Sequence, residues 1–138
     1  MSQTLSQQRA KYAMEKVLEV AKLEDSNQEN KKKKEDYSNF CLRLPGMILN
    51  NGLGQSLAFL LADAQKNEQK MSYKLYEQLS EWIIMRRRIY PDGYGKNGLM
   101  KAILEGDRGA YVRAQTEVLE LLGWMKRFSD AYIGRPGQ

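Results

Sequence analysis

Between Leu53 and Lys66 the chain places apolar side chains on nearly every side of a helix. Leu53, Leu57, Leu60, Leu61 and Ala64 make one face, while Ala58, Phe59 and Ala62 cover much of the other. Such a segment is stable only when other elements surround it, so it is expected at the centre of the fold. The surrounding elements should also be helices. Ala, Leu, Met, Glu, Gln, Lys and Arg supply 77 of the 138 residues, and Val, Ile and Thr only 12. A chain of 138 residues is long enough to bury a core without disulfides or structural metals. The expectation is an all-α, single-domain bundle of about six helices over residues 1–138.

Periodicity places the other elements. Ala10, Ala13, Met14, Val17, Val20 and Ala21 recur at helical spacing, which predicts a helix over about 5–23. Residues 24–36 break the pattern with Asp25, Ser26, Asn27, Asn30 and the run Lys31 to Lys34, and read as an exposed, mobile loop. A second helix should start near Asp36, be kinked or split by Pro45-Gly46, and end at Gly52. The central helix follows, and then a fourth from Tyr73 to about Ile89, capped by Ser72, with Leu75, Leu79, Trp82 and Ile83 on its apolar face. After the turn Pro91-Asp92-Gly93 come a short helix over 98–105, closed by Gly106, and a long one capped by Asp107 and running to about Tyr132. Residues 133–138 read as a flexible tail. The predicted core includes Val17, Phe40, Leu44, Ile48, Leu57, Leu60, Leu79, Trp82, Val118 and Leu122.

Counting removes most chemistry. There is no histidine and one cysteine, Cys41, so imidazole acid–base catalysis, His or Cys metal clusters and an internal disulfide are excluded. Cys41, between Phe40 and Leu42, reads as a small core residue. No cofactor and no metal are expected. Acidic pairs such as Asp63 with Glu68, or Glu117 with Glu120, read as solvated or Lys/Arg-paired carboxylates. Met1 to Gln8 carries no signal pattern, and the longest apolar run, Leu57 to Ala62, is too short to span a bilayer. A soluble, cytoplasmic protein with no membrane partner is expected.

The net charge of +5 favours an anionic partner weakly. Lys31 to Lys34 could touch phosphate, although Glu29, Glu35 and Asp36 partly neutralise them and a solvated loop explains them better. Arg86, Arg87 and Arg88 point in three directions on a helix. Arg86 falls beside Leu79, Trp82 and Ile83, and arginines there also complement the helix dipole. Arg113, Glu120 and Arg127 repeat every seven residues, so they form one stripe, with Glu117 and Trp124 alongside and away from Val118, Leu122 and Met125. A tryptophan beside arginines can anchor a protein interface or stack on a base, or the helix can simply be buried on two sides. The candidate RNA or partner contacts are therefore Arg113, Trp124 and Arg127, with Lys126, Arg87 and Arg88. Gly93, Gly95 and Gly98 with Lys96 lack the strand and the Gly-Lys-Ser/Thr order of a phosphate loop and read as turn glycines.

Two longer stretches carry a resemblance. Residues 44–62 read LPGMILNNGLGQSLAFLLA, with Leu44-Pro45, Ile48, Asn51-Gly52-Leu53 and Ser56-Leu57-Ala58-Phe59 at signature spacing. Residues 111–128 read YVRAQTEVLELLGWMKRF, through Tyr111, Thr116-Glu117, Leu119, Leu122, Trp124, Lys126-Arg127 and Phe128. In that order they resemble the small subunit of the type III-B CRISPR effector, the Cmr complex, over roughly residues 7–133. The resemblance implies a non-catalytic helical subunit that stacks in several copies into a minor filament. Its partners would be the backbone and large subunits, copies of itself, and the CRISPR RNA and target RNA they cradle. The lysine run matches nothing in that family and receives no role. Two other readings stay open on the residues alone: a stand-alone helical adaptor that binds only protein, and a small enzyme limited to carboxylates, lysines and tyrosines.

Overall fold

A computed structural model describes residues 2–135. It contains five α-helices: α1 Leu5–Ala21, α2 Gln28–Ala64, α3 Met71–Glu81, α4 Leu99–Glu105 and α5 Arg108–Tyr132. A π-helical turn, Trp82–Arg86, continues α3, and no strand occurs among the described residues. The all-helical expectation holds. The count is five rather than six because the expected second and third helices form one element, α2.

The chain divides into two compact units. The first comprises residues up to Pro45 together with those from Glu120 onward. Here α1 starts on a reciprocal cap: Gln7 N donates to Thr4 Oγ1 at 3.0 Å, and Thr4 N donates to Gln7 Oε1 at 2.8 Å. Tyr12, Ala13, Val17 and Val20 of α1, Tyr37, Cys41 and Leu44 of α2, and Leu121, Leu122 and Met125 of α5 supply its buried residues. Phe40 is only half-buried.

The loop expected over 24–36 is mostly helix. Asn27 opens α2, its Oδ1 accepting from Glu29 N at 2.7 Å and its carbonyl from Lys31 N at 3.1 Å. Lysines of the run then pair with acids at helical spacing, Lys33 with Glu29 at 3.8 Å and Lys32 with Asp36 at 3.4 Å, while Lys34 reaches back to Asp25 at 2.8 Å. Alternating charge read as disorder is thus a ladder of i,i+4 support. Of the expected tail, residues 136–138 lie outside the described residues. Residues 133–134 are tied down: both backbone N–H groups donate to Ser129 O, and Ser38 Oγ donates to Gly134 O at 2.6 Å.

The second unit spans Gly46–Leu119. Pro45, the residue before it, does not break α2; the one residue of α2 with non-helical dihedrals is Gly52, at φ 87 and ψ 163. That break leaves two N–H groups without helical acceptors, and α5 supplies replacements. Leu53 N donates to Gln115 Oε1 and Gly54 N to Tyr111 Oη, both at 2.9 Å. Leu53, Leu57, Leu60 and Ala64 are buried, but Ala58, Phe59 and Ala62 are exposed, so the 53–66 segment is covered on one side only. Two of those three residues are alanines, and Phe59 is 36% exposed.

Helix α3 begins two residues earlier than expected, with Lys70 rather than Ser72 at the cap position. Ser72 is buried inside it, and its hydroxyl has no hydrogen-bond partner among the described residues. Two α3 hydroxyls do the capping of α4. Tyr76 Oη donates to Asn97 O at 2.7 Å and accepts from Met100 N at 3.0 Å. Ser80 Oγ donates to Lys96 O at 2.6 Å and accepts from Leu99 N at 3.1 Å. The turn from α4 to α5 follows the sequence reading: Asp107 Oδ1 accepts from Ala110 N at 2.8 Å.

Candidate functional site

The π-turn at the end of α3 decides where the arginine triplet goes. Arg87 N donates to Trp82 O at 2.8 Å and Ile89 N to Ile83 O at 3.1 Å, while Arg88 turns left-handed at φ 50. The widened turn advances the register by one residue. Arg86, expected along the apolar face, is exposed, and Arg87 takes the inner position. There it meets α5. Glu117 is only 5% exposed. Its Oε2 accepts from Trp82 Nε1 at 3.0 Å, and its Oε1 lies 3.5 Å from Arg87 Nε. The Arg87 side chain is 34% exposed, so the pair is half in water. Arg88 is exposed and makes only a loose 3.9 Å contact with Asp92.

Arg113 stands one turn before Glu117 on α5 and is exposed. Near it is Tyr90, 4% exposed, whose hydroxyl has no hydrogen-bond partner among the described residues. Burial pushes the Tyr90 phenol up, Asp107 and Tyr111 push it further, and the Arg113 charge opposes them. Of the sequence candidates, Arg87, Arg88 and Arg113 belong to one unit, and Arg87 is the one in contact with Glu117. Arg113 is the first member of the sequence stripe; Trp124, Lys126 and Arg127 belong to the other unit.

In that unit Lys126 and Arg127 are exposed, and Trp124 is half-buried in an aromatic ladder. Trp124 stacks on Phe128 at 5.8 Å and 22°, and Phe128 on Tyr132 at 6.1 Å and 26°. The ladder gives Trp124 a structural partner at i+4, which the stripe reading had left out.

Cys41 is buried, and burial raises its thiol to about 12, so it carries no thiolate at neutral pH. Among the described residues no group of three or more acids and cysteines is placed to hold a metal ion. Gly93 and Gly95 have φ 114 and 78, as turn glycines do. At Gly98 a Cβ would run into the Tyr94 carbonyl.

Sequence reasoning missed Trp82, Tyr90 and above all Glu117 as site residues. A signal for Glu117 exists: Ala114 at i−3 and Leu121 at i+4 are both buried, so its position lies on a covered face of α5. No local pattern marks Tyr90.

The family described as CRISPR-associated protein (Cas_Cmr5) matches residues 5–132. A CRISPR system Cmr subunit Cmr5 from Thermus thermophilus is 31% identical over 130 residues, covering 94% of this chain and 96% of the relative. One of the same name from Thermotoga maritima is 28% identical over 134 residues, covering 95% and 86%. The crystal structure of a CRISPR-associated Cmr5 family protein from Thermus thermophilus superposes with a TM-score of 0.72 at 31% identity, covering 95% of this chain and 99% of that one.

Proposed function

We propose, since the chain belongs to the Cmr5 family of CRISPR-associated proteins, that it is the non-catalytic small subunit of a type III-B Cmr effector complex. The observation that carries this reading is the family match across residues 5–132, nearly the whole chain. In it, several copies stack into a minor filament beside the backbone and large subunits, and together they support the CRISPR RNA and its paired target RNA. Sequence choice then resides in base pairing, and the protein contributes contacts to the backbone of the duplex. The exposed Arg88, Arg113, Lys126 and Arg127 and the half-exposed Arg87 are the side chains available for such contacts. Localisation in the cytoplasm follows from that role; no helix among the described residues is long and apolar enough to cross a membrane.

The test is affinity purification of the tagged chain from its native cells, with identification of everything that co-purifies. The expected result is the other Cmr subunits together with CRISPR RNA. Recovery of the chain with neither overturns the reading. A companion assay incubates the purified chain alone with RNA and DNA; the expected outcome is no cleavage with or without divalent metal. Metal-dependent cleavage that tracks the protein and is lost on changing Asp63 or Glu117 overturns the non-catalytic part.

A further inference from the structure

We propose that Asp92 is a site of spontaneous isomerisation to isoaspartate, and that the fold confines this reaction to Asp92 by shielding two intrinsically faster sites, Asn51 and Asn97. The reaction needs no assembly partner, so the inference stands apart from the family reading.

An aspartate or asparagine precedes glycine at three places: Asn51-Gly52, Asp92-Gly93 and Asn97-Gly98. Glycine has no Cβ to crowd its own nitrogen, and its chain swings freely, so in these pairs the backbone nitrogen reaches the preceding side chain most easily. At Asp92 the Gly93 nitrogen attacks Cγ of the carboxylic acid, and the amide proton leaves with the acid hydroxyl as water, closing a five-membered succinimide. Water then opens the ring. Cleavage of the new N–Cγ bond returns aspartate, whereas cleavage of the original peptide bond leaves the main chain running through Cβ and Cγ. One water leaves and one enters, so the mass is unchanged and no oxidant or reductant is needed. At an asparagine the leaving group is ammonia, which departs more easily, and the product is an acid.

The fold treats the three sites differently. Asp92 lies in a turn with its side chain 92% exposed, and its one ion-pair contact is the loose 3.9 Å approach of the exposed Arg88. Gly93 N–H has no hydrogen-bond partner among the described residues. Apart from its chain neighbours, nothing stands within 4 Å of the place a Gly93 Cβ would take. Nitrogen and carboxyl can therefore turn toward each other without displacing anything. Asn97 is held instead: its carbonyl accepts from Tyr76 Oη at 2.7 Å, its Nδ2 donates to Glu77 Oε2 at 3.4 Å, and Gly98 N donates to Gly95 O at 3.1 Å. Gly98 is also packed so closely that a Cβ would run into the Tyr94 carbonyl. Attack by Gly98 N would have to break its own bond and swing a carbonyl tied to α3. Asn51 lies in α2, whose one residue with non-helical dihedrals is Gly52, so Asn51 itself is helical. Closing the ring there would take Asn51 out of those dihedrals and out of the helical hydrogen-bond ladder.

The test incubates the folded full chain for several weeks at neutral pH and physiological temperature, beside a portion kept unfolded in guanidinium. Trypsin then separates the sites: cleavage after Arg43, Lys66, Arg88, Lys96 and Lys101 puts Asn51 on 44–66, Asp92 on 89–96 and Asn97 on 97–101. Isoaspartate is recognised in each peptide by electron-transfer fragmentation, and in the whole chain by methyl transfer from S-adenosylmethionine with an isoaspartyl methyltransferase. In the folded chain, isoaspartate at Asp92 is expected to exceed the product at either asparagine several-fold. In the unfolded chain the order should reverse, with both asparagines ahead. Asp92→Glu keeps the charge, but its side chain is one methylene too long for the five-membered ring. It should lower methyl acceptance by the folded chain several-fold while circular dichroism stays unchanged. The proposal is overturned if the folded chain forms no isoaspartate at Asp92, if either asparagine leads in the folded chain, if unfolding leaves the order as it was, or if Asp92→Glu accepts methyl groups as the unmodified chain does. None of these outcomes bears on which proteins co-purify with the chain, so the two readings fail separately.

Discussion

Gly52 in α2 and the wide turn at Trp82–Arg86 are both points where a helix departs from regular geometry, and both are met by side chains of α5. The remedies differ in kind. At Gly52 the backbone itself is short of acceptors, and two neutral oxygens, Gln115 Oε1 and Tyr111 Oη, each take one N–H at 2.9 Å. At the π-turn the helix closes on its own carbonyls, and α5 contributes a carboxylate that binds side chains instead. The result is a buried carboxylate with a half-exposed arginine 3.5 Å from it. One remedy completes the backbone's hydrogen bonds; the other brings a buried carboxylate to side chains.

The largest expected effect breaks the first of these sites. With φ 87 and ψ 163, Gly52 occupies a region closed to other residues, and a Cβ there would sit 3.3 Å from Tyr111 Oη. Gly52→Ala should cost about 3 kcal/mol in urea unfolding, combining backbone strain with loss of the two α5 bonds. A loss below about 1 kcal/mol would mean the bend relaxes without harm. Glu117→Ala comes next, at about 2–3 kcal/mol, because it strands a buried indole N–H and a partly buried guanidinium. Restoration of most of that loss in Glu117→Gln would show that the carboxyl's charge is not needed for stability and that the bond to the Trp82 indole is what counts. Tyr111→Phe should cost about 1 kcal/mol by orphaning Gly54 N–H alone. An unchanged unfolding midpoint would show that water reaches the break.

The smallest effect concerns the lysine run. A hydrogen bond from Lys34, and then its charge, hold the exposed Asp25 carboxyl below its ordinary value of 3.8. A depressed carboxyl stabilises the fold above its unfolded value and loses that contribution as pH falls through the lower folded value. The gap between the unmodified chain and Asp25→Asn should therefore be slight at pH 7 and close in acid. A gap that widens on acidification would reverse this account. Because the pair is exposed, neither result should approach the effects at Gly52 or Glu117.

Much of this architecture was legible in the sequence. The scarcity of β-branched residues set the helical class, Asp107 marked the start of α5, and Val17, Leu44, Ile48, Leu57, Leu60, Leu79, Trp82, Val118 and Leu122 are buried as expected from their spacing. Part of what was missed depends on partners remote in the chain. Gly52 was read as a helix end, and its dihedrals do interrupt α2 there, but the groups that receive the freed N–H groups, Tyr111 and Gln115, lie 57 and 62 residues away in the chain. The shift of Arg87 into the inner position depends on a π-turn that no periodicity predicts. The lysine run was misjudged for a different reason: its charges were summed along the chain rather than paired at helical spacing. For the candidate site, the arginines were visible as residue types, but the acid and the phenol beside them were not.

The two hydroxyls that cap α4 also set an order of events during folding. A seven-residue helix is too short to hold itself together in water, and Leu99 and Met100 have no local side chain to receive their N–H groups. Those receptors, Ser80 and Tyr76, stand on successive turns of α3 and are correctly spaced only once α3 has formed. Nucleation of α4 must therefore wait for α3, and the glycine-rich chain between them must close before either hydroxyl can act. Tyr90 lies on the chain that this closure brings together, so its phenol should reach its place with α4 and not before α3.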